Sequence, residues 1–199
     1  MIWGTDIFTR GGSDTGGEEE ARGLNEYTGN LSPRIAAVAD MWNLLYLAIR
    51  RCNTALSRAP GIGFDPGRKA VRVGEALFLR SLYYYLLVEH WGDVPLMLEE
   101  VNTVITEGHR APEAVVYAQI ILDLESVLEV LPAASDDYGR ATRGAAQHLL
   151  ARLYLTRGYR AYGRGNADFL RAAELAEAVI ASGTYQLLPD FAAGDDLEE

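Results

Sequence analysis

Glu75-Ala-Leu-Phe-Leu-Arg-Ser-Leu-Tyr-Tyr-Tyr-Leu-Leu-Val-Glu-His-Trp-Gly-Asp-Val-Pro95-Leu96 is the stretch on which the fold turns. Between Ala76 and Val88 only Arg80 and Ser81 are polar. The run is too short and too interrupted for a bilayer, which takes about 20 apolar residues. A helix apolar on all sides that does not span a membrane is expected between other helices. Gly92 and Pro95 end it, with Asp93 in the turn. The reading is the central helix, from about Arg68 to His90, of an all-α array.

Working outward, Ile35, Val38, Trp42, Leu45, Ile49, Cys52 and Leu56 recur at alternating spacings of three and four, one face of a helix. Ser32 before Pro33 is the expected N-cap, and Pro60 and Gly61 the stop. After the central helix, Leu96 to Arg110 reads as an extended crossing segment. Pro112 opens a third helix with the stripe Tyr117, Ile120, Ile121, Leu124, Leu128 and Leu131, closed by Pro132. A polar loop, Ala133 to Arg140, follows. Thr142 caps a fourth helix that ends at Gly158, and a Gly/Arg/Tyr loop leads to a fifth, from about Ala167 to Ser182, with Gly183 as its C-terminal cap. Alanines on the fourth and fifth helices allow close antiparallel packing, the pattern of a tetratricopeptide unit. Residues 1–32 are expected to be a long irregular loop, 33–191 the helical domain, and 192–199 a frayed acidic tail.

The 199 residues suit one domain or a piece of a larger one. Acidic side chains number 28 against 18 basic ones, a net charge of −10, which argues against nucleic acid as a partner. Lys69 is the only lysine, which reads as base composition rather than function. Cys52 is the only cysteine; it falls on an apolar stripe and reads as a buried thiol. His90, His109 and His148 have no ligand spacing, so neither metal nor cofactor is expected. Met1-Ile-Trp-Gly-Thr-Asp has no charged or apolar leader character, so no signal peptide is expected in it.

Few groups invite chemistry. Trp91-Gly92-Asp93 could stack on a sugar, but a structural turn accounts for it better. Tyr83, Tyr84 and Tyr85 point three ways around a helix, so at least two belong in the core. Arg50, Arg51 or Arg80 could hold an anion, although pairing with Glu75 or Asp123 is the stronger expectation. Glu89-His90 are helical neighbours that face differently. No pair of acids is placed as a glycosidase requires. Gly11 to Gly17 lacks the lysine of a phosphate loop. Asn30-Leu-Ser32 is a chance glycosylation triplet. The best ligand candidates are Asn25, Tyr27 and Asn30, since amides and rings on loops make sugar sites; Tyr159 and Tyr162 rank below them.

Several patterns coincide in order and spacing: Trp42…Tyr46…Ile49-Arg50-Arg51-Cys-Asn53; Glu75-Ala-x-Phe78-Leu79-Arg80…Tyr84; Trp91-Gly92-Asp93-Val94-Pro95-Leu96; Val116-Tyr117…Leu131-Pro132; Gly139-Arg140-Ala-Thr142…Tyr154; and Ser182-Gly183-x-Tyr185. Together they resemble the SusD/RagB family of outer-membrane nutrient-binding proteins of Bacteroidota. The Trp-Gly-Asp-Val-Pro-Leu and Gly-Arg-x-Thr segments are the specific part. The resemblance implies a tetratricopeptide-like scaffold on a surface lipoprotein without catalysis. It implies capture of glycans or other oligomeric nutrients, with a SusC-like TonB-dependent transporter as partner. It also implies that this sequence is a fragment, without the family's lipidated cysteine and its later helices. Such a piece, with neighbouring repeats missing, is expected to be marginal or self-associating. The rival expectation is a tetratricopeptide-like scaffold that binds a protein and no carbohydrate.

Overall fold

The computed structural model describes residues 36–103 and 108–187. Ser32, Pro33 and Ile35, the expected loop over 1–32 and the tail beyond Leu187 lie outside the described residues. The chain forms two units, Met1–Ala48 and Ile49–Glu199. Of the first, the described part is the opening of helix α1, Ala36–Arg58. There the rings of Trp42 and Tyr46 meet at 4.8 Å, and Leu45 is buried.

In the second unit α1 ends in a short 3-10 turn, Ala59–Gly61, and is followed by α2 Pro66–Trp91, α3 Glu113–Val127, α4 Arg143–Gly158 and α5 Asn166–Ala181. No strand occurs among the described residues; a single antiparallel bridge joins Val94 to Ala111. The expected boundaries hold to within a residue or two, except that α3 stops at Val127 and completes Leu128 to Leu131 as tight turns. Leu131 nevertheless remains buried, as its place on the stripe requires.

Two helix pairs, α2 with α3 and α4 with α5, run antiparallel. The start of α2 meets the end of α3 where Gly74 faces Leu131, and the far ends meet where Tyr117 donates to Glu89. In α4 and α5, Arg157 bonds Asp168 at one end, while Tyr185 after α5 bonds Thr142 before α4 at the other. These two pairs pack most extensively, as expected of tetratricopeptide-like units. The core they share includes Tyr84, Leu87, Val88, Val116, Tyr117, Ile120, Leu124, Leu150 and Leu153.

The central helix departs from expectation in one respect. It is not buried on all sides. Its two polar residues are enclosed together with Tyr84, Tyr85, Leu87 and Val88, Arg80 at 6% and Ser81 at 1% exposure, while Leu79 is 38% exposed. Electrostatic pairing explains the inversion for Arg80, as described next.

Candidate functional site

The motif residues form a scaffold for the loops rather than an open site. Arg80 donates to Asp123 through Nε and Nη2 at 3.0 and 2.6 Å, and through Nη1 to Asn53 Oδ1 and the Leu98 carbonyl. Asn53 Nδ2 donates to the Met97 carbonyl at 2.8 Å. The Tyr84 hydroxyl donates to that same carbonyl and accepts from Met97 N–H. Burial pushes its phenol up to about 12. Thus α1, α2 and α3 together grip the backbone of residues 97–98. The expected Arg80–Asp123 pair is present, and four of the five Arg80 N–H groups are engaged in these bonds. Glu75 pairs instead with Arg72 and, in a two-pronged contact, with Arg140.

The Trp91-Gly92-Asp93 turn is fixed by its backbone and by one side-chain bond. Trp91 is half-buried, and Gly92 takes φ 66°, which a residue with a side chain resists. Asp93 accepts from Glu113 N–H at 2.8 Å, and so caps the start of α3. Pro112, in the cap position, has no side-chain donor or acceptor for the task. The Val94–Ala111 bridge brings cap and helix together.

Gly139 at φ 82° turns the chain so that Arg140 reaches Glu75. Thr142 Oγ1 accepts from Ala145 N–H at 3.3 Å and meets the Tyr185 hydroxyl at 2.7 Å. The Tyr185 ring lies so close on α4 that a Cβ at Gly144 would come within 2.5 Å of it.

Against this scaffold opens a cleft of about 550 Å³. Its floor is Ala133, Ala134, Ala145 and Val179; around it stand Asp137, Tyr138, Arg140, His148, Thr184 and Tyr185. Tyr138 is fully exposed and Tyr185 half-exposed. An apolar floor with presented rings and a few hydrogen-bonding groups suits the C–H face and hydroxyls of a pyranose. Tyr138 lies in the polar loop that sequence patterning left without a role; a ring between Asp136-Asp137 and Gly139 was the available signal.

Asn25, Tyr27 and Asn30 lie outside the described residues. Tyr162 is tied into the scaffold, its ring 6.0 Å from that of Tyr117 and its phenol pushed up by burial and by Glu113. Tyr159 is open to solvent against Phe169. Cys52 is buried, which pushes its thiol up. Among the described residues no cluster of His, Cys, Asp and Glu could hold a metal ion, and no helix is long and apolar enough to cross a membrane.

The family model SusD-like_3, described as starch-binding associating with outer membrane, matches residues 11–155. SusD-like protein P2 of Formosa agariphila is 32% identical over 183 residues, covering 89% of this chain and 34% of that protein. The chain spans about a third or less of the length of the curated relatives it matches. A SusD superfamily structure from Parabacteroides distasonis aligns with TM-score 0.77 at 32% identity, over 86% of this chain and 37% of that one. A laminarin-binding SusD-like protein aligns with TM-score 0.76 at 29% identity, over 89% and 38%. Sequence and helical arrangement agree over the same segment, and this chain belongs to the SusD-like family.

Proposed function

We propose that this chain is part of a non-catalytic carbohydrate-binding protein of the outer-membrane surface, which passes oligosaccharide to a SusC-like TonB-dependent transporter. Membership of a family described as starch-binding carries the reading. The laminarin-binding relative extends the same class to this fold. The cleft beside Tyr138 supplies suitable chemistry: a ring for stacking, with Asp137, His148 and Thr184 for hydroxyls. Asp137 is the one carboxylate among its lining residues, whereas hydrolysis needs an opposed pair. Asn25, Tyr27 and Asn30 are proposed as a further contact set.

Calorimetry with starch and laminarin oligosaccharides tests this. Binding is expected, and Tyr138→Ala should weaken it about tenfold, ~1.4 kcal/mol. A chain that takes up none of these saccharides, or releases reducing sugar from them, would defeat the proposal. Co-purification of the longer protein with a TonB-dependent transporter tests the delivery step.

A further inference from the structure

We propose that a second site, the groove between the end of α1 and the start of α2, docks an acidic amphipathic helix of a partner protein. The groove encloses about 410 Å³ and shares no residue with the cleft beside Tyr138. Ile62 and Phe64 form its most open apolar part, 53% and 45% exposed. Arg51, Arg58, Lys69 and Arg72 surround it, and no Asp or Glu lines it. In a chain of net charge −10 that composition is inverted, and it includes the only lysine.

The four cations fall into two kinds. Arg58 is paired with Glu100 at 2.6 Å and Arg72 with Glu75 at 2.9 Å, which fixes their positions on the rim. Arg51 and Lys69 make no ion pair among the described residues; the Lys69 ammonium reaches only the Pro60 carbonyl, at 3.4 Å. A further guanidinium, that of Arg68, sits 5.3 Å from the Phe64 ring centroid. The result is an apolar floor flanked by two cations without an ion pair among the described residues and two that are paired with carboxylates.

Charge complementarity selects the occupant. Outside the groove the described residues carry 16 carboxylates against 11 cations, so approach of an acidic partner is steered here. An amphipathic helix projects apolar side chains at i, i+3, i+4 and i+7 into the floor and its carboxylates onto the rim. An anionic saccharide would match the rim, but on the floor only Thr54 offers its hydroxyls a partner among alanine, valine, isoleucine and phenylalanine.

Fluorescence anisotropy on the whole chain tests the proposal. The probe is a labelled synthetic helix with leucine on one stripe and glutamate elsewhere; the control has the same composition in shuffled order. The striped peptide is expected to bind about tenfold or more tightly than the control, and to weaken as salt rises. Arg51→Glu with Lys69→Glu should lower its affinity at least about tenfold at unchanged circular dichroism. If that pair unfolds the chain, Arg51→Gln with Lys69→Gln should move affinity in the same direction. Phe64→Ser should weaken binding and leave the salt dependence intact. Equal binding of striped and shuffled peptides overturns the proposal. So does indifference to the charge changes, tighter binding of a uronate or sulfated oligosaccharide, or sedimentation showing that a second copy occupies the groove. Titration with neutral glucans should not respond to these variants, so the carbohydrate reading stands or falls separately.

Discussion

Arg80 occupies a position where the apolar run from Ala76 to Val88 would suggest leucine, and its pairing with Asp123 makes that tolerable. Both side chains are nearly fully enclosed, so removing one strands the other. Arg80→Met should cost about 3–5 kcal/mol in urea unfolding, and adding Asp123→Leu should restore much of it. Ser81 is the contrasting neighbour: its buried hydroxyl has no hydrogen-bond partner among the described residues. Ser81→Ala should therefore be neutral or stabilise by about 1 kcal/mol in the same assay. The arginine's partner was legible because opposite charges within apolar stripes have few other options. Tyr138 was not, since a single ring in a polar loop carries no periodicity; only the fold shows that a cleft lies beside it.

At the scale of elements, proline, glycine and the threonine cap made most helix boundaries readable. What spacing could not show was which residue serves a neighbouring element. Asp93 caps α3 across 20 positions, a relation that exists only once Val94 pairs with Ala111. Asp93→Ala should cost about 1 kcal/mol, with Asn recovering most of it, and hydrogen exchange should rise first at Glu113 and its neighbours. Tyr185 against Gly144 is a second such relation. Gly144→Ala would push the ring off α4 and should be destabilising in the wild-type background but milder when Tyr185 is also alanine.

For the molecule as a whole, two ends of the pH scale are set by named groups. The Arg157 guanidinium and the Arg164 N–H hold Asp168 below the usual carboxylate range, and Asp168 is 2% exposed. Because its folded value is depressed, its contribution is complete above about pH 4 and lost as pH falls through the folded value. The stability gap between wild type and Asp168→Asn should shrink accordingly in acid melts. Tyr84 and Tyr154 are both pushed up to about 12, chiefly by burial, so their contribution is full below about pH 10 and is lost as pH rises towards 12. Leu155, Leu170 and Ile180 on α4 and α5 stay open to solvent. Sedimentation of this chain alone should show concentration-dependent association, reduced by Ile180→Asp. Helix pairing was legible from alanine content; the cationic groove was not, because spacing does not show which residues of the end of α1 and the start of α2 face one another. The Val94–Ala111 bridge has one more implication, for protein engineering. It clasps the crossing segment at its two ends, so the chain between the exposed Asn102 and Thr103 could be lengthened with little entropic cost. A short epitope or fluorophore tag spliced there should leave the melting profile unchanged, giving a handle for single-molecule work.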